Sequence, residues 1–203
     1  MSKPKLTIIA GCNGSGKSSF SKYLVKNTIA PFDFDLRRKE IYDNFKFDFE
    51  FREDMAHNKT IQEFESLVKN SLTNKIDFSY ETNYHDHPLI QAEKFKKAGF
   101  QINLIYFCLS SVEIAKKRVA IRVNNGGHFV SDIEIESRFI QGYKNLEKTF
   151  PYFEHVQIFD TSEECEKPKE IAFLASLNPI RIDQSSWKKL SPFLPSMSKY
   201  MLK

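Results

Sequence analysis

One stretch, Gly11-Cys12-Asn13-Gly14-Ser15-Gly16-Lys17-Ser18, constrains this chain more than any other. It reads G-x-x-x-x-G-K-S without a mismatch, the pattern of a phosphate-cradling P-loop. The flanks agree with it. Leu6-Thr7-Ile8-Ile9-Ala10 is a short apolar, β-branched run that predicts a buried strand, and residues 17–27 read as a helix. Glycines let the backbone fold back so that its N–H groups point at one centre. The helix that starts there adds free N–H groups and the positive end of its dipole. The nucleotide cradle is therefore expected to comprise Gly11, Asn13, Gly14, Ser15, Gly16, Lys17, Ser18 and Ser19. Lys17 is expected at the β- and γ-phosphates of ATP and Ser18 in a Mg²⁺ ligand position.

The rest of the chain must supply a core and a sheet for this loop. Its 203 residues, 41% of them apolar, suit one domain over 1–203. No apolar run approaches the roughly 20 residues that span a bilayer. Met1-Ser2-Lys3-Pro4-Lys5 leads directly into the first strand, too short for a signal-peptide core, which predicts a cytoplasmic protein. Three cysteines, Cys12, Cys108 and Cys165, lack metal-type spacing and read as free thiols. A net charge of +4 without a basic, aromatic-interleaved stripe suits a small anionic substrate and argues against nucleic acid as partner.

Strand and helix signals alternate along the sequence. Pro31-Phe32-Asp33-Phe34-Asp35 alternates apolar and acidic and predicts a second strand, followed by a helix over 36–45. Residues 46–52 give no clear pattern. An amphipathic helix is expected over 60–74, with Ile61, Phe64, Leu67, Val68 and Leu72 on one face. Residues 76–80 predict a third strand, closed by Glu81-Thr82-Asn83-Tyr84. A helix follows from Pro88 to Ala98, then a buried strand over 102–109 and a helix from Glu113 to Val123 that Asn124-Asn125-Gly126-Gly127-His128 breaks. Ser131 and Asp132 start another helix, and residues 156–159 predict the last strand, ending at Asp160. This order predicts an α/β fold: a three-layer α/β/α P-loop kinase-like domain with a mostly parallel sheet and a helical lid at about 118–138. Ligands then gather at the C-terminal ends of the strands, where the P-loop, Asp35, Glu81 and Asp160 fall. In the C-terminal extension, about 165–203, residues 170–176 and 180–183 suggest a hairpin turning at Asn178-Pro179, and 187–203 a helical tail.

Three groups of residues suggest chemistry. Asp35 closes the second predicted strand, where a carboxylate can orient an acceptor hydroxyl; it equally suits the N-cap of a helix beginning at Leu36. Arg118 and Arg122 are four apart, share a helix face and lead into Gly126-Gly127, as in a lid that closes on a transferring phosphoryl group. Glu81, Thr82, Asn83 and Tyr84 offer acceptors, donors and a ring to a substrate. His85-Asp86-His87 lacks further spaced ligands and reads as a solvated loop. Asn74-Lys75-Ile76-Asp77 fits the guanine-reading N-x-x-D, but it precedes its strand and no D-x-x-G occurs, which excludes a GTPase.

Taken together, residues 8–18, Asp33-Phe34-Asp35-Leu36-Arg37, Tyr80-Glu81-Thr82 and the stretch from Arg118 to His128, R-V-x-x-R-V-x-x-G-G-H, resemble the zeta-toxin family of P-loop kinases. Tyr143-Lys144-Asn145-Leu146 and Phe159-Asp160-Thr161-Ser162 fit its later part, so the resemblance spans about residues 5–163. It implies an ATP- and Mg²⁺-dependent phosphotransferase acting on the 3′-hydroxyl of the sugar in UDP-N-acetylglucosamine or a related sugar nucleotide. By the match, Asp35 is the general base, Lys17 and Ser18 serve ATP and Mg²⁺, and Glu81 with Thr82 holds the sugar nucleotide. Arg118 stabilises the transferring phosphate, with Arg122 and His128 as further carriers, and His128 is also expected among the substrate-binding residues. Family members are held by small helical antitoxins, which implies an antitoxin as partner. The Gly-Gly-His lid departs from that of the plasmid-borne toxins, which bears on the substrate more than on the reaction. Two other readings remain: a P-loop kinase for another metabolite or antibiotic hydroxyl, and a nucleotide-binding regulatory module with little turnover.

Overall fold

The computed structural model describes residues 3–24, 30–46, 50–163 and 167–201. Among them the elements run β1 (Lys5–Ala10), α1 (Lys17–Leu24), α2 (Phe34–Asp43), α3 (Arg52–Asn74), β2 (Phe78–Thr82), α4 (Ile90–Lys97) and β3 (Gln101–Cys108). Then come α5 (Val112–Asn124), α6 (Asp132–Thr149), β4 (His155–Asp160), β5 (Lys169–Ala175), β6 (Asn178–Ile182), α7 (Gln184–Leu190) and α8 (Pro195–Met201).

The strands form one sheet in the order β2-β1-β3-β4-β5-β6. β2, β1, β3 and β4 are parallel, because each connection between them carries helix back across the sheet. β5 and β6 join antiparallel. The four parallel strands therefore end along one edge, and β1 at its centre delivers the P-loop there. The alternation of β1 and β3 decides the two faces. Leu6, Ile8, Ile102, Leu104 and Tyr106 point into the large core, under Phe64 and Val68 of α3, Phe95 of α4, and Phe139 and Leu146 of α6. Ile9, Ile105, Phe107 and Phe159 point the other way, where Phe20 and Leu24 of α1 pack on them. The sheet is thus helix-covered on both sides, as an α/β P-loop fold requires.

Several boundaries differ from the sequence expectation. The second strand shrinks to a single bridge, Phe32 to Tyr80. α2 already begins at Phe34, and Asp33 caps it, accepting the N–H groups of Asp35 and Leu36. Asp35 is therefore in the first turn, not at the N-cap. The alternation that suggested a strand has another cause: Phe32 and Phe34 both enter an aromatic cluster with Phe64, at centroid distances of 5.3 and 4.7 Å. α3 starts at Arg52, well before Thr60; the unplaced stretch before it falls partly on residues 47–49, outside the described residues. The predicted end of the first helix, at 25–27, and Cys165 also lie outside them. The hairpin forms, but it turns at Ser176 and Leu177, both with positive φ, as a two-residue hairpin loop demands. Pro179 sits within β6, an edge strand that tolerates its missing N–H. No described helix is long and apolar enough to cross a membrane.

Candidate active site

The P-loop runs from β1 into α1 with Gly14 at φ +75° and Gly16 at φ +85°, a left-handed backbone that glycine alone adopts without strain. At Gly14 a side chain is excluded by space as well, since a Cβ would lie 2.8 Å from the Ala115 carbonyl oxygen of α5. Thr161, just past β4, donates to the Ser15 carbonyl at 2.8 Å and so ties the loop to the sheet edge. Lys17 Nζ donates to the carbonyls of Gly11 (2.7 Å) and Cys12 (3.0 Å) and to Asn83 Oδ1 (3.1 Å). Ser18 Oγ lies 2.7 Å from Asp33 Oδ2 and 2.8 Å from Glu81 Oε2.

A cleft of about 830 Å³ opens over the loop. Its floor carries Asn13, Gly14, Gly16, Lys17, Ser18 and Ser19. Asp33, Phe34 and Asp35 from the start of α2 form one wall, Glu81, Thr82 and Asn83 from the end of β2 another, and Arg118 and Arg122 from α5 a third. The volume is within the range of small-molecule sites. Asp35 is exposed to this space, with Arg38 3.9 Å from its carboxylate.

Arg118 and Arg122 of α5 reach the same cleft by different means. Arg118 touches the carbonyls of Gly14, Ser162 and Glu163, each at 3.4 Å, the long limit of a hydrogen bond. Arg122 donates to the His128 carbonyl at 2.9 Å, while its buried Nε has no partner. Gly127 makes that path available: a Cβ there would meet Arg122 Cγ at 2.5 Å.

Beside this geometry stand the relatives. The model of the family described as "Zeta toxin" matches residues 1–167. The chain belongs to the zeta toxin family. An uncharacterized protein of Haemophilus influenzae is 28% identical over 136 residues, covering 66% of this chain and 92% of its own. The PezAT chromosomal toxin-antitoxin system of Streptococcus pneumoniae contains a chain of similar fold, with TM-score 0.57 and 16% identity, covering 100% of this chain and 89% of its own. The AvrRxo1-ORF1:-ORF2 complex crystallised with ATP contains another, with TM-score 0.68 and 13% identity, covering 93% and 64%. At these identities the two structures show a shared fold.

Within this zeta toxin family site, two placements depart from expectation. His128, expected at the substrate, turns its ring to Arg38, with both ring nitrogens 3.4 Å from Nη2; it bridges the segment between α5 and α6 to α2. Glu81, expected at the sugar nucleotide, is 7% exposed and bonded to Ser18 and Ser21 of α1. Burial holds its carboxyl above the usual range, and nearby Asp33 adds to that, against the serine bonds and Lys17. Burial likewise holds the Lys17 ammonium below its ordinary value, against the pull of Cys12 and the carboxylates around it. Cys12 is pushed up to about 11 by its burial in the loop, so its thiol stays protonated at neutral pH.

The sequence reading also missed contacts. The motif pattern gives Asp33 no role of its own, though two acids flanking one aromatic are the available signal. Arg138 of α6 donates to Asn13 Oδ1 at 3.1 Å, a reach across the cleft to the P-loop that no motif announces. His85, read as solvated, joins Ser137 of α6 at 3.1 Å and Asp86 at 2.9 Å.

Proposed function

We propose that this zeta toxin family protein is an ATP-dependent small-molecule kinase that transfers the γ-phosphate to an acceptor hydroxyl. The observation that carries this reading is Asp35, an exposed carboxylate facing the same cleft as the P-loop lysine and the two lid arginines. In this reading the loop's N–H groups and Lys17 take the β- and γ-phosphates, and Ser18 takes a Mg²⁺ ligand position. Bound there, Mg²⁺ supplies positive charge to the phosphate oxygens. Asp35 accepts the hydroxyl proton as the oxygen attacks phosphorus and the bond to the ADP oxygen breaks. Arg118, held only by long hydrogen bonds, exchanges its carbonyl partners for the transferring phosphoryl group; Arg122, with its unpartnered Nε, supports it.

The acceptor proposed from the family is UDP-N-acetylglucosamine or a related sugar nucleotide, met by Thr82 and Asn83. A different hydroxyl compound is the second reading, favoured by the engagement of Glu81 with α1 rather than with the acceptor wall. An antitoxin partner is proposed on the family and on the toxin-antitoxin system to which the PezAT relative belongs. The test is ATP turnover against a panel of sugar nucleotides and other hydroxyl compounds, the product identified by mass. Expected is one compound that gains a phosphoryl group. Binding of ATP with no transfer to any compound would favour the regulatory module.

A further inference from the structure

Asp35 is loosely anchored for a group on the cleft wall. Its side chain is 51% exposed, and its ion pair with Arg38, one turn on in α2, spans 3.9 Å. Arg38 itself is a mostly buried guanidinium, 23% exposed, with five N–H donors to place. Its contacts are long. Nε lies 3.6 Å from Glu53 Oε1 at the start of α3, and Nη2 lies 3.4 Å from both ring nitrogens of His128 and 3.9 Å from Asp35 Oδ1. An (i, i+3) ion pair on one helix is ordinary. A further partner arriving from the other side of the cleft is not.

A tightly turned segment delivers His128 to that place. α5 ends at Asn124, Gly126 takes φ +79°, and the Gly127 N–H folds back on the Arg122 carbonyl at 2.9 Å. The Arg122 guanidinium in turn takes the His128 carbonyl at 2.9 Å, along a path that a Cβ on Gly127 would block. Beyond it Val130 is buried and Ser131 caps α6. Both ends of the segment are thus fixed. His128 between them spans from Arg122 on one cleft wall to Arg38 beside Asp35 on another.

Resting on the kinase reading, we infer that Arg38 is a positioning residue for Asp35 and that His128 fixes Arg38 in place from across the cleft. In this assignment Arg38 touches no reacting atom. At 3.9 Å it lies beyond hydrogen-bond reach, so it directs the carboxylate and leaves both oxygens free for an acceptor hydroxyl. Lys17 attracts the same carboxylate from the P-loop side, and Arg38 balances that pull, while Glu53 holds the other edge of the guanidinium. The contacts Arg122–His128–Arg38–Asp35 run from the phosphoryl end of the cleft to the hydroxyl end. Transfer needs the attacking and leaving oxygens roughly in line about phosphorus, and this chain of contacts sets the span between the groups that serve each side.

The test is a mutant cycle in single-turnover transfer from ATP to the compound that the wild-type protein phosphorylates. Arg38→Met keeps the buried stem and removes the guanidinium. It is expected to slow transfer by about tenfold to a hundredfold, the scale of an ångström-sized misplacement, with ATP affinity and melting temperature near wild type. In the Asp35→Asn background the same change is expected to add less than about twofold, because a residue that acts through another then has nothing to act on. Arg38→Lys, which keeps the charge and loses the fork, should recover part of the rate. His128→Ala should slow transfer less than Arg38→Met, and the pair together should cost no more than Arg38→Met alone. His128 is exposed, so its variant carries the same comparison with Asp35→Asn if Arg38→Met does not fold. Transfer at the wild-type rate by both variants overturns the assignment, as does an Arg38→Met loss of equal size with and without Asp35. Weaker acceptor affinity at an unchanged transfer rate in His128→Ala would return that ring to the substrate and overturn its part. In each of these cases the kinase reading stands. If the wild-type protein transfers phosphate to no compound of the panel, the kinase reading and this assignment fall together.

Discussion

The two ends of the cleft differ in how finished they are. At the P-loop end the groups are already held: Lys17 by three oxygens, Asp33 by two backbone N–H groups, Glu81 by Ser21 and the loop itself by Thr161. At the lid end Arg118 has only contacts of 3.4 Å, Arg122 Nε has no partner, and Asp35 stands exposed with its cation at 3.9 Å. The difference separates two tasks. On the proposed kinase reading, the preorganised end binds nucleotide at little cost of rearrangement, whereas the loosely held end is free to form its bonds when the phosphoryl group moves, which is where binding raises rate.

That contrast predicts different kinds of damage. Lys17→Ala should have the largest effect, removing measurable ATP binding in calorimetry while the fold persists; unchanged affinity would mean that the loop end is not the nucleotide's. Arg118→Ala should lower kcat by about 10³–10⁵, the range for an arginine on a transferring phosphate, with ATP affinity near wild type. A variant that instead loses affinity would place Arg118 at the preorganised end. Arg122→Ala should cost less in kcat than Arg118→Ala. If both arginine variants stay within about tenfold of wild type, less than roughly 1.4 kcal/mol is involved, and their helix face is merely solvated.

The smallest effect is on stability. Glu81 is held above its ordinary carboxyl value by burial, so folding favours its protonated form. Its contribution is then fully present below the unfolded value and is lost as pH rises through the folded one. In EDTA, wild type should lose stability as pH climbs from about 4.5, and Glu81→Gln should flatten that decline and melt modestly higher at neutral pH. Parallel melting profiles for the two proteins would show that burying Glu81 costs nothing.

The same contrast governs what the sequence reveals. The P-loop is a local device: its glycines, lysine and serine act within one turn, so eight residues announce it. Strands β1 and β3 are legible because both faces are buried and their apolar runs are nearly continuous. The segment before α2 misleads, because an aromatic pair entering a side-chain cluster and a strand paired in a sheet leave the same period-two pattern. The lid end is poorly legible because its geometry is tertiary. The family resemblance implies a substrate role for His128, yet Arg38, ninety residues away in sequence, takes its ring. Arg138 and Thr161 reach the P-loop across the fold, and Ser21 finds Glu81 at a separation that no motif encodes.

Asp35 decides the central claim, because a nucleotide binder has no use for a carboxylate that orients a hydroxyl. Asp35→Asn keeps the size and removes the charge and basicity; with Asp33 as the helix cap, the fold loses only a first-turn dipole interaction worth about 0.3–1 kcal/mol. The measurement is single-turnover transfer from labelled ATP to the acceptor that the wild-type protein phosphorylates, with ATP binding and a melting curve taken on both proteins. The account predicts a variant that folds and binds ATP normally but transfers at least about a hundredfold more slowly, the low end for general-base assistance. Transfer at the wild-type rate by Asp35→Asn would contradict it.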